Sequence, residues 1–230
     1  AQPAAERRVE GVGEEGHETE GREQVEGQGP VIRLAETVRN ALFVIIPLKY
    51  ITKIEIEAAL NRISELAAAE GVRLEMTLYG GAVMLLAYDA RDVTKDVDAI
   101  IYPPEIGRRL VARVAVERGL SDDWLNDSVK LYISEKEAKN ELSLPNISRA
   151  GLHLTRPTAK YLLAMKVMAN RKPLPGYAGD SGDIEILLRV TKLRTVDGVQ
   201  KVVDTFFPDT VLPDATRLTL MEILDKIRHE

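Results

Sequence analysis

Apolar positions along the chain change period several times, and each change predicts an element. From Thr52 the apolar residues Ile56, Ala59, Leu60 and Ile63 recur on one helical face, opened by Thr52 with Glu55 at capping-box spacing and stopped by Gly71. Leu74, Met76 and Leu78 then alternate with Arg73, Glu75 and Thr77, the period of a half-buried strand. Gly80-Gly81 interrupts that strand before the apolar run AVMLLAY, read as a short helix. After the polar link Asp89 to Thr94 comes a second strand, Lys95 to Tyr102, ended by Pro103-Pro104.

A helix is predicted from about Glu105 to Arg118, with Ile106, Leu110 and Val114 inward and Gly119 beyond its end. Val129 to Ile133 reads as a third strand, and His153 to Thr155 as part of another. Downstream the pattern turns helical over Thr158 to Arg171, Asp183 to Arg194, Thr195 to Phe207 and Thr216 to Ile227. The order predicts an α/β (α+β) protein: a small mixed-sheet core over residues 52–155, then a helical lobe over 156–230. Residues 31–51 read as an apolar arm. Residues 1–30 hold eight Glu and six Gly and read as a disordered tail.

Charge matters once that tail is set apart. It carries a net of −5, and the remaining 28 basic residues balance 28 acidic ones. The folded part therefore lacks the overall basic character of a non-specific nucleic-acid binder. With no cysteine and three scattered histidines, thiolate and histidine-rich metal sites are excluded, and any cation would be held by carboxylates, as Mg²⁺ or Mn²⁺ are. No apolar run approaches the roughly 20 residues of a membrane span, and the acidic amino terminus is unlike a signal peptide, so a cytoplasmic protein without membrane contact is expected.

The chemistry-bearing stretch runs from Gly80-Gly81 to Asp96-Val97-Asp98. Residues i and i+2 of a strand share a face, so Asp96 and Asp98 project together, while Val97, Ala99 and Ile101 point to the core. Two carboxylates held that close favour a cation between them. Glycines at a strand-to-helix turn let backbone amides approach phosphate oxygens, which supplies the other half of a metal–triphosphate clamp. Arg91 and Lys95 stand nearby as cations able to hold phosphate, and Thr94, two residues before Asp96, is expected on the same face. A phosphate placed on Thr94 would then repel the site's other negative groups.

Gly-Gly, a short helix and Asp-x-Asp together resemble the signature of the polymerase-β-like nucleotidyltransferase superfamily. Within it the chain is most similar to the AbiEii-type toxin nucleotidyltransferases and their relatives. The resemblance is carried by Arg91-x-x-Thr94-x-Asp96-x-Asp98, Trp124-Leu125-Asn126, Tyr161-Leu162-Leu163-Ala164-Met165-Lys166, and Asp180-Ser181-Gly182-Asp183-Ile184 followed by Leu187-Leu188. It covers residues 52–228. It implies Mg²⁺-dependent transfer of a nucleoside monophosphate from a nucleoside triphosphate, to RNA or a tRNA end or another acceptor, in a protein paired with an antitoxin. Asp96 and Asp98 would ligate metal, Gly80 and Gly81 cradle phosphates, and Lys166, Asp180 and Asp183 complete the site.

Each of these residues also has a plainer reading. Lys166 fits a boundary lysine with its stem on the core and its ammonium in water. Asp180 or Asp183 fits a helix N-cap, the other orienting Lys166. Trp124 fits the core or a lobe interface. Ala82 stands where many members of the superfamily have Ser, removing a hydroxyl whose bond to phosphate is worth about 0.5–1.5 kcal/mol if neutral. That departure keeps open a nucleotide-binding module without turnover. Nucleotidylation of a small molecule is a third reading, and an RNA acceptor would call for a basic stripe drawn from Arg108, Arg109, Arg113, Lys160 or Arg171.

Overall fold

The structure, a computed structural model, describes residues 50–175 and 178–230. The tail over residues 1–30 and the arm up to residue 49 lie outside the described residues. Among them, β1 (Ile51–Thr52) leads into α1 (Lys53–Ala69), where Thr52 and Glu55 form a complete capping box and Gly71 takes the left-handed conformation beyond the end. There follow β2 (Leu74–Leu78), α2 (Gly80–Tyr88), β3 (Val93–Thr94), β4 (Val97–Tyr102) and α3 (Pro104–Arg118). Then come β5 (Leu125–Asn126), β6 (Lys139–Glu141) and β7 (Leu152–Pro157). The carboxyl-terminal part is helical: α4 (Ala159–Ala169), α5 (Ser181–Thr191), α6 (Val196–Phe206) and α7 (Asp214–His229). This is the mixed α/β architecture with a helical carboxyl-terminal region that the hydrophobic periods predict.

Five strands form one sheet in the order β5-β4-β2-β7-β6, and β1 pairs with β3 in a separate two-stranded ribbon. In the large sheet β2 runs antiparallel to β4 and parallel to β7, while β5 is parallel to β4. The register sets Leu78 opposite Ala99 and Met76 opposite Ile101, so these apolar residues share one face. Helix α3 packs there, close enough that a β-carbon on Gly107 would stand 2.5 Å from the Ile101 side chain. The other face carries Glu75, Thr77, Asp98, Ile100 and Tyr102, and there the buried Thr77 hydroxyl meets that of Thr155 at 2.8 Å.

The expected strand over Val129 to Ile133 is instead a 3₁₀ turn, Ser128–Leu131. Asn126 accepts the Ser128 N–H on its side-chain oxygen, at 3.0 Å, which turns the chain at the point where a strand would have to continue. The strand read from Lys95 begins at Val97, whose N–H donates to the Trp124 carbonyl at 2.8 Å. No helix among the described residues is long and apolar enough to cross a membrane.

Candidate functional site

Helix α2 begins directly at the end of β2, and no side chain caps its amino terminus. Its first amides are therefore presented where an anion could accept from them. Gly80 adopts φ +60° and lies on the Asp98 carboxylate: a β-carbon there would stand 2.5 Å from Oδ2. Gly81 lies on Thr94 and Arg91, where a β-carbon would stand 2.6 Å from the threonine hydroxyl and 3.2 Å from the guanidinium. Both glycines are thus required by close approach, and the Tyr79 N–H bond to the Asp98 carbonyl at 2.9 Å fixes turn against strand.

Asp98 belongs to β4 and Asp96 immediately precedes it; both are partly exposed. Burial raises the Asp98 pKa, and repulsion from Asp96 raises it further, against the opposing influence of Arg171 and Lys166. Among the described residues no group of three or more histidines and carboxylates converges as a metal cage. The donor set is a carboxylate pair beside a glycine cradle that any β-carbon would fill. That suits a hard cation completed by phosphate oxygens and water, the habit of Mg²⁺, better than a dedicated cage.

Residues far along the chain close the site. Arg91 donates to Asp183, which lies in the first turn of α5, 92 positions later. Lys166, on α4, places Nζ 2.8 Å from Asp180 and 2.7 Å from Asp183. The latter contact is an ion pair without hydrogen-bond alignment, since Asp183 Oδ2 has no hydrogen-bond partner. Arg171 reaches Asp180 through its backbone N–H and its Nε, both at 2.9 Å. Burial alone would raise the Asp180 pKa, but the bonds from Arg171 and the Lys166 charge outweigh it and hold the carboxyl well below the usual range.

The structure thus brings together Gly80, Gly81, Arg91, Thr94 and Asp98, and joins Arg91 to Asp183, Lys166 and Asp180. Lys95 is exposed. Two of the plainer readings are corrected, those of Lys166 and of the capping aspartates, while the core reading of Trp124 holds. The Lys166 ammonium is not in water, being buried at 4 % exposure between two aspartates. Neither Asp180 nor Asp183 caps α5 with its side chain: Asp180 occupies the N-cap position without a capping bond, and both carboxylates are spent on cations. Thr94 is buried against Gly81 and donates its hydroxyl to the Asp96 carbonyl at 3.1 Å, which ties the glycine turn to the loop carrying Asp96. Ala82 has no exposed surface, so a serine hydroxyl there would enter the core. Trp124 is fully buried, its indole N–H directed at the Val111 carbonyl at 3.5 Å.

Two contributors escaped the sequence reading. Asn126 places its amide nitrogen 3.4 Å from Asp96 Oδ2. Glu137 accepts from the Tyr79 hydroxyl, bracing the residue before Gly80. The Trp124-Leu125-Asn126 segment pointed to the first, while nothing local pointed to the second. The basic stripe that an RNA acceptor would call for is neutralised at its arginines, since Arg109 pairs with Glu70, Arg113 with Glu117, Arg108 with Glu105 and Arg171 with Asp180, while Lys160 is exposed. No protein-family model, curated protein or solved structure matches the chain.

Proposed function

We propose that this chain is a nucleotidyltransferase that moves a nucleoside monophosphate from a nucleoside triphosphate to an acceptor hydroxyl. The observation that carries the reading is the uncapped start of α2, with Gly80 laid against the Asp98 carboxylate. Amides for phosphate oxygens and carboxylates for a cation then stand side by side. A divalent cation such as Mg²⁺ or Mn²⁺, held by Asp96 and Asp98, would neutralise phosphate charge.

The chain's own groups do the rest. The glycine amides orient the β- and γ-phosphates, and Arg91, resting on Gly81, lends positive charge at the same turn. Lys166 and Arg171 favour the ionised form of Asp98. The acceptor hydroxyl gives up its proton to water, its oxygen bonds to the α-phosphorus as the bond to the bridging oxygen breaks, and pyrophosphate leaves with that electron pair. Catalysis then rests on positioning and electrostatics. The absence of a hydroxyl at Ala82, whose methyl is buried, still leaves a nucleotide-binding module without turnover as the second reading. The family resemblance points to RNA, including a tRNA end, as acceptor and to an antitoxin as partner, whereas the pairing of Arg108, Arg109, Arg113 and Arg171 with carboxylates favours a smaller acceptor.

The test is incubation with each labelled triphosphate, total RNA and Mg²⁺. Wild type is expected to label an acceptor, and Asp96→Ala/Asp98→Ala to lose it. Equal labelling by both proteins would remove these carboxylates from the reaction.

A further inference from the structure

Asn126 is mounted more firmly than a two-residue strand would suggest. The residue before β5, Trp124, is fully buried and takes the Val97 N–H on its carbonyl, and the ladder then sets Leu125 beside Val97 and Asn126 beside Asp98. The Asn126 side chain is oriented as well. Its oxygen accepts the Ser128 N–H at 3.0 Å, which leaves the amide NH₂ to face Asp96 Oδ2 at 3.4 Å. At that length the contact gives direction more than strength.

We infer that Asn126 is a positioning residue for Asp96, holding one carboxylate oxygen so that the other is turned toward the cation. The inference rests on the metal reading of Asp96 and Asp98 above. It also gives the Trp-Leu-Asn segment a physical division of labour: Trp124 anchors, Leu125 packs, and Asn126 orients. Groups that orient a metal-binding carboxylate without touching the metal are commonly worth 10–100-fold in affinity.

The experiment is Mn²⁺ binding by the full chain, followed through the electron paramagnetic resonance signal of free Mn²⁺, with melting temperatures recorded in parallel. Asp96→Ala should abolish binding. Asn126→Ala should weaken it about tenfold with little change in melting temperature. Asn126→Asp should tighten it, because the new carboxylate would stand where the amide now faces Asp96. A residue with only a structural role would move both Asn126 variants in the same direction, together with their melting temperatures. An Asp96-dependent signal that Asn126→Ala leaves unchanged, or that both variants weaken alike, overturns the inference and spares the metal reading. Absence of binding in wild type, or binding that survives in Asp96→Ala, overturns both.

Discussion

Gly80 and Asp98 touch so closely that a single added carbon at residue 80 would stand 2.5 Å from a carboxylate oxygen. Gly80→Ala meets two penalties, since φ is also +60° there. Gly71 has φ +68° with nothing near the β-carbon position, so Gly71→Ala meets only the backbone penalty. Urea denaturation should show Gly71→Ala losing about 1–2 kcal/mol and Gly80→Ala losing more. The excess should shrink when Asp98 is Ala in both proteins. Equal losses in the two single variants would refute the contact.

Asp98→Asn should raise thermal stability at neutral pH while abolishing nucleotide transfer. Burial and then Asp96 raise the folded-state pKa of Asp98 above its unfolded value. Ionisation is therefore disfavoured in the fold, and that cost sets in above the unfolded pKa of about 3.9 and is complete once pH has risen through the folded pKa. Removing the charge relieves it, each kcal/mol gained being worth about 2–4 °C at this chain length. At about pH 3, where the carboxyl is protonated in both states, the gain should vanish. Calorimetry at the two pH values checks the sign.

Lys166→Met should be among the most destabilising single changes. It leaves Asp180 and Asp183 buried with one cation fewer, a situation that typically costs about 3–5 kcal/mol. Asp180 has the opposite pH signature to Asp98. Its folded pKa lies below the unfolded value of about 3.9, so its pairing stabilises above that pH and is lost as pH falls further. Asp180→Asn should be less stable than wild type at pH 7 and should lose stability less steeply between about pH 4 and 2. Chemical denaturation across that range is the measurement.

Ala82→Ser tests whether the missing hydroxyl matters. Because residue 82 is wholly buried, the hydroxyl should cost about 1–2 kcal/mol of stability. It should leave the KM for triphosphate unchanged. A lower KM would place the side chain in the cleft.

How much of this was readable in advance depended on range. The glycine turn and the Asp-x-Asp pair are short-range patterns, and period alone gave the strand and helix around them. Strands of two or three residues, such as β1, β3, β5 and β6, carry too little alternation to announce themselves. The stretch after Asn126 has the composition of a strand, but the Asn126 side-chain oxygen, three bonds from its own Cα, accepts the Ser128 N–H and turns the chain instead. The neighbours of Lys166 on its own helix suggest a boundary position, whereas its surroundings are set by aspartates 14 and 17 positions later. Glu137 reaches Tyr79 across 58 positions, a separation no local pattern encodes.

The bond from Arg91 to Asp183 has a bearing on how the protein comes apart. It links the loop between α2 and β3 to α5, and the Ser134 hydroxyl likewise reaches the Phe206 carbonyl on α6. Sheet and carboxyl-terminal helices are therefore tied through polar groups that cannot be left stranded. A heating scan should record one transition, and a fragment ending at Pro157 should neither hold its glycine turn in place nor complement the missing helices at low concentration.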